Sequence, residues 1–315
     1  MLKLVVGRIA ALVPILLGIS FVAFFLVRLV PGDPVVAMAG MEADAATIAA
    51  LRAKYGLDLP LPAQFAIWFG QVIQGDLGRS IQTGRPVAAM LGTAFGPTLL
   101  LAGAALIVSL LIAIPAGIAS ATRPNTGIDF GVSLGALAGL SLPSFWIGIL
   151  LILTFSIRLP ILPSSGFVSP GVDVAKAFLH LVLPALTLGT ALAAATMRMT
   201  RATMIEVLRQ DYIRTARAKG LSRAVVVWKH GLANASMPIV TLIGIQMGQV
   251  LSGVVVTETI FSWPGVGKLT VDAIFARDYP LVQGAVLCMA VLFVTINLVT
   301  DLLYSVLDPR VRLGQ

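Results

Sequence analysis

The chain lacks most of what a water-soluble protein of its length needs. Only 11% of its 315 residues are charged, 58% are hydrophobic, and it holds 4 Tyr, 2 His and 1 Cys. The lone Cys288 lies in an apolar run, so a single chain can build neither a disulfide nor a thiolate metal site, and packing is its expected role. His180 and His230 form no His-Glu-x-x-His helix face, no Gly-x-Ser-x-Gly elbow is present, and no Gly-x-x-x-x-Gly-Lys-[Ser/Thr] loop exists to cradle a nucleotide. No catalytic residue, no metal site and no cofactor bound by this chain are therefore expected. The net charge is +8, but no basic patch is interleaved with stacking aromatics, which sets nucleic acid aside.

What is present is apolar. Mean hydropathy is +0.97, more apolar surface than a soluble fold can bury. Apolar runs long enough to cross a bilayer, about 20 residues, occupy 9–30, 95–121, 128–157, 180–197, 236–257 and 281–307. The first exceeds the apolar core of a cleavable signal. The expected fold is thus an all-α integral membrane protein with six transmembrane helices. Lys3, Arg8, Arg123, a basic cluster between 198 and 229, Arg310 and Arg312 all fall on one side, and together they make thirteen of the 22 basic residues. The positive-inside bias makes that side cytoplasmic, and both termini with it.

This reading divides the chain into a first helix with an outer cap segment (1–94), a five-helix core (95–307) and a cytoplasmic tail (308–315). The outer segment is long for a structureless loop. Helix-forming composition at 45–54, helical apolar spacing at 61–73 and turn glycines Gly75, Gly78 and Gly84 give it local structure. Both a passive cap and a partner-binding surface suit it.

Within the spans, Pro14, Pro115, Pro143 and Pro184 are expected to kink their helices. Gly131, Gly135 and Gly139, and Gly244 with Gly248, have the small-xxx-small spacing of close helix packing. Polar residues at membrane depth are costly unless they face protein or water. Ser141, Ser144, Gln246, Gln249, Glu258 and Asn297 are accordingly the candidate translocation-path residues, with interhelical hydrogen bonding as the competing reading.

The most charged stretch sits inside the core, at 198–235. From Arg198 to Lys229 it carries eight basic and two acidic residues. Gly220 can close one helix and Ser222 can cap the next, so the pattern predicts a short helix, a turn and a second helix. Tyr212, Ala216 and Lys219, at i, i+4 and i+7, would share a face with an anchor, a small contact and a charge. A basic face lying against anionic lipid is the competing reading.

The order Asp211-Tyr-Ile-Arg-Thr-Ala-Arg-Ala-Lys-Gly-Leu-Ser222, followed by His230, Asn234 and Pro238, resembles the cytoplasmic signature loop of ABC importer permeases of the peptide/nickel branch. Val27-Arg-Leu-Val-Pro-Gly-Asp-Pro34, Gly75-Asp-Leu-Gly-Arg-Ser-Ile81, Leu142-Pro-Ser-Phe-Trp146, Phe261-Ser-Trp-Pro-Gly-Val-Gly267, Arg277-Asp-Tyr-Pro280 and Asp308-Pro-Arg310 are similar to further blocks of that family, in order. The general loop pattern there begins Glu-Ala-Ala; Arg214, Thr215 and Ala216 stand at those positions, with Gly220 kept.

The resemblance implies a permease of the first of two types, forming half of a pathway for peptides or a related small solute. It implies a coupling helix against an ATPase, built from Asp211, Tyr212, Arg214, Thr215, Ala216, Arg217, Ala218, Lys219 and Gly220. The partners it implies are a different second permease, one or two ABC ATPase subunits carrying ATP and Mg, and an extracytoplasmic solute-binding protein. The setting would be the inner membrane of a bacterium or archaeon. An ion- or proton-coupled secondary carrier is the alternative, but the helix-glycine-helix loop suits docking into a partner's groove and has no evident use in a carrier.

Overall fold

The structure, a computed structural model, describes the backbone of residues 2–29, 44–54 and 58–307. Most of the block 27–34, the block 308–310, the tail 308–315 and the side chain of Gln249 lie outside the described residues. Twelve helices follow one another among the described residues: α1 (Leu2–Leu29), α2 (Ala45–Lys54), α3 (Leu61–Ile73), α4 (Val87–Ala121), α5 (Gly127–Ser141), α6 (Ser144–Ile152), α7 (Val174–Leu208), α8 (Asp211–Ala218), α9 (Arg223–Val225), α10 (Ala233–Ile260), α11 (Val266–Phe275) and α12 (Tyr279–Leu307). One-turn π-helical segments continue α6 (Leu153–Arg158) and join α9 to α10 (Val226–Leu232). The β pairing among these residues is an isolated bridge, Arg79 to Pro86.

Three helices, α4, α7 and α12, are long and apolar enough to cross a bilayer unaided, and two bent pairs, 127–158 and 223–260, qualify as broken spans. α1 has a shorter apolar stretch among its described side chains, Leu12–Phe25, at the place of the first expected span. The third differs from expectation. In place of a kinked helix, α5 and α6 meet at 104°. Leu142 is extended (φ −85°, ψ 131°) and Pro143 begins the next helix (φ −60°, ψ 135°). Proline drives the residue before it out of the helical region, so the helix stops and restarts in a new direction. The fourth span also differs: α7 runs 35 residues to Leu208. At 1.5 Å per residue that is about 50 Å, against a hydrocarbon core of about 30 Å. Its end, with Arg198 and Arg201, is therefore a helical stalk and not a loop.

The chain forms two compact units, one comprising Met1–Thr98 and Pro264–Thr295, the other Leu99–Trp263 and Ile296–Gln315. In the first, Val87, Leu91, Val266, Ala273, Leu281, Val282 and Ala285 form a buried core, and the partly buried Cys288 packs on it. The outer segment has the predicted helices α2 and α3, and Gly75, Gly78 and Gly84 all take positive φ. Phe21 and Phe24 of α1 meet Phe65 and Trp68 of α3 in a ring cluster.

Two sequence blocks 198 residues apart also meet in this unit. Asp278, buried just ahead of α12, accepts hydrogen bonds from Ser80 Oγ and from the Ile81 backbone N–H (3.1 Å), while Gln82 Nε2 donates to the Ala276 carbonyl (2.9 Å). A buried carboxylate needs such donors. The blocks 75–81 and 277–280 are thus one structural staple.

The second unit is built on α7. Its face packs on α4 through Leu101, Ala102, Ala105, Leu188 and Leu192, together with Val250, Val254 and Trp263. The backbones also come close at glycines the spacing did not single out. A Cβ on Gly189 would lie 2.7 Å from Val108 Cγ1, and one on Gly117 2.7 Å from Thr200 Cβ. Among the described residues, Gly131 and Gly135 face open space, and of that trio Gly139 alone makes a tight approach, to Ala194.

Candidate functional site: the loop helix and its clamp

Helix α8 begins and ends where local chemistry requires. Asp211 lies in its first turn and Arg217 in its last, each complementing the helix dipole. Lys219 is the C-cap and Gly220 follows at φ +78°. Ser222 Oγ then accepts from Val225 N–H (3.5 Å) to start α9. Ile213 and Ala216, both buried, pack with Val226 and Leu208 and fix the orientation of α8 against its own chain. The sequence placed Ala216 on the outward face with Tyr212 and Lys219. It points inward instead, because Ile213, three residues earlier, is the larger apolar anchor and sets the buried side. Tyr212, Thr215 and Lys219 stay exposed at i, i+3 and i+7, with Asp211, Arg214, Arg217, Ala218 and Gly220 also open to solvent. Arg214 is partly engaged by Asp211 (3.2 Å), an exposed pair of small energetic value.

Both ends of this loop are tied to one turn. Asp129, in the first turn of α5, is buried at 4% exposure. Its carboxylate accepts from Arg201 Nε (2.6 Å) and Nη2 (2.9 Å), from Asn125 N–H (2.9 Å) and from Ser120 Oγ. Arg201 belongs to the α7 stalk, ten positions before α8. On the far side, Arg223 Nη2 donates to the Thr122 carbonyl (3.1 Å). Asn125 itself holds φ +60°, a conformation Asn tolerates better than most residues. The two-pronged guanidinium contact is the geometry that transmits orientation as well as attraction. Displacing α8 therefore pulls on the α4–α5 turn from both directions.

Sequence reasoning missed this clamp. Its local signal was present: Thr126 caps α5 three residues before Asp129, and Asp129 is the lone charge in the run 124–157.

The candidate path residues are dispersed. Gln246 is buried and spent on the contact between α7 and α10: Thr196 Oγ1 donates to its Oε1 (2.8 Å), and its Nε2 donates to the Leu192 carbonyl (3.0 Å). This is the interhelical alternative. Glu258 is fully buried in the last turn of α10, ahead of the buried Phe261 and Trp263. Ser141 is exposed and Ser144 half-buried, on either side of the α5–α6 break; Asn297 is half-buried in α12. Gln249 lies on α10. No group of three or more His, Cys, Asp or Glu suited to a metal occurs among the described residues.

Residues 113–313 match the family model described as binding-protein-dependent transport system inner membrane component, and residues 1–117 match its N-terminal companion. The chain belongs to this family of permeases. The permease is 42% identical over 99% of both chains to a peptide permease protein of Brucella suis, and 44% and 43% identical, again over 99% of both, to the glutathione transport system permease GsiC of Pectobacterium atrosepticum and of Escherichia coli. Among solved structures it resembles a chain of the inward-facing MetNI methionine ABC transporter (17% identity, TM-score 0.55, 70% of this chain and 96% of that one). It also resembles one of an amino acid ABC transporter (13%, 0.52, 69% and 94%). At such identities these show the fold alone. The permease is a transmembrane subunit of an ABC importer, and hydrolysis belongs to separate subunits.

Proposed function

We propose that the permease carries small peptides, the tripeptide glutathione included, through a pathway it shares with a second, different permease. The observation that supports this is full-length similarity at 42–44% to permeases named for peptides and for glutathione. In this reading the α8 face of Tyr212, Thr215 and Lys219 docks on an ATPase that holds ATP and Mg, and this chain binds no cofactor. A solute-binding protein delivers the solute on the opposite side. The basic bias puts the loop and both termini in the cytoplasm. ATP-driven closure moves α8, and the Asp129 clamp passes that motion to the α4–α5 turn and the α7 stalk, biasing the bundle between two openings.

The test is reconstitution in liposomes with the second permease, the ATPases and the binding protein. Uptake of labelled dipeptides, longer peptides, glutathione and a nickel chelate is then compared, with and without internal ATP. ATP-dependent accumulation of a peptide or glutathione is expected. Accumulation of the nickel chelate alone would overturn the solute class.

A further inference from the structure

We infer that Arg209, Arg217 and Arg223 form a binding pocket for the phosphate of an anionic phospholipid at the membrane surface from which the loop emerges. The three arginines line a cavity of about 180 Å³ between the α4–α5 turn, the end of α7, α8 and α9. No carboxylate lines it among the described residues. Neighbouring basic residues have acids of their own, Arg201 with Asp129 and Arg214 with Asp211. By contrast, the side chains of Arg209 and Arg217 have neither hydrogen bond nor ion pair among the described residues, and Arg223 spends one nitrogen on the Thr122 carbonyl. Three like charges around one depression repel unless an anion joins them. Guanidinium forks match the oxygens of a phosphate.

The rest of the lining selects the source of that phosphate. Ile205, Leu208, Val226 and Val227 give the cavity an apolar wall. It opens beside Ala121 and Thr122, at the end of the apolar run of α4. An apolar wall under a cationic rim at that depth fits a lipid headgroup with the start of its chains, and juxtamembrane arginines are drawn to anionic leaflets. The cavity, about 180 Å³, has room for a phosphate and its linkage. It also lies on the body side of α8, sharing Leu208 and Val226 with the buried face, away from exposed Tyr212 and Thr215. The inference needs the loop at a membrane surface. It does not need the solute or the sidedness proposed above, so the two fail separately.

The test uses the purified full-length permease in neutral detergent, titrated with dioctanoyl phosphatidylglycerol, the matching phosphatidylcholine and inorganic phosphate. Trp228, half exposed in the segment that follows Val226 and Val227, reports locally by fluorescence, and thermal unfolding reports globally. Phosphatidylglycerol should shift the Trp228 emission and raise the melting temperature, an effect weakened by salt, while the other two stay silent at equal concentration. R209Q/R217Q, whose side chains are exposed and have no partner among the described residues, should keep the fold and bind phosphatidylglycerol about tenfold more weakly for each guanidinium removed. Equal responses to phosphatidylcholine or to inorganic phosphate, or unchanged affinity in the double variant, would overturn the lipid site.

Discussion

At Gly220 the backbone stands at φ +78°, and an added Cβ would meet nothing within 4 Å among the described residues. The obstacle to substitution there is torsional, not steric. An L-residue in this region costs about 1–2 kcal/mol, and a β-branched one more. Gly220→Ala should therefore transport at a reduced rate and Gly220→Val hardly at all, with membrane abundance of both near that of the unmodified protein by immunoblot. Normal uptake by the Val variant would sink the idea that the turn aims α8. The inward and outward faces of α8 predict a second contrast. Tyr212→Ala removes an exposed ring, so it should impair ATP-driven uptake while leaving the melting temperature unchanged. Ala216→Leu overfills a buried contact and should cost about 1–3 kcal/mol of stability. If Tyr212→Ala lowers stability as much as Ala216→Leu, the assignment of faces is wrong. Residue spacing alone put Ala216 beside Tyr212, because periodicity says which residues share a side and not which side its own chain covers. Ile213 carried that information through its size.

Helices and turns were legible in proportion to how local their causes are. The bounds of α2 and α3 follow from composition, and the Gly220–Ser222 junction from capping chemistry. At Pro143 a break and a kink look alike in sequence; neighbouring helices determine which occurs, and here the result is a 104° turn. The Asp129–Arg201 pair spans 72 positions, and nothing local says which of the eight basic residues would reach that acid. A prediction follows for the clamp. Arg201→Lys keeps the charge but loses the fork, so the α4–α5 turn should loosen, seen as faster proteolysis of the loop and lower uptake at retained ATP hydrolysis by the full assembly. Asp129→Asn leaves Arg201 facing a neutral amide and should do the same more severely. If either variant couples hydrolysis to uptake as the unmodified protein does, α8 motion does not pass through this turn.

For the whole molecule, orientation rests on charge asymmetry, and this can be tested with one background substitution. The sequence holds a single cysteine, Cys288, partly buried in α12, so Cys288→Ser gives a cysteine-free chain with little packing loss. Leu221 is 40% exposed, just past the α8 turn, and Gln74 is exposed at the end of α3. With the thirteen basic residues of the loop side in the cytoplasm, an impermeant maleimide added to intact cells should label Gln74→Cys and spare Leu221→Cys. Permeabilised cells should label both. The reverse pattern in intact cells would invert the molecule, placing the α8 face outside and out of reach of any ATP-hydrolysing partner. Labelling of both positions without permeabilisation would instead break the odd number of crossings between residues 74 and 221. The bent α5–α6 pair must supply one of those crossings as a single span, because only then do Arg123 and Arg201 lie on the same side.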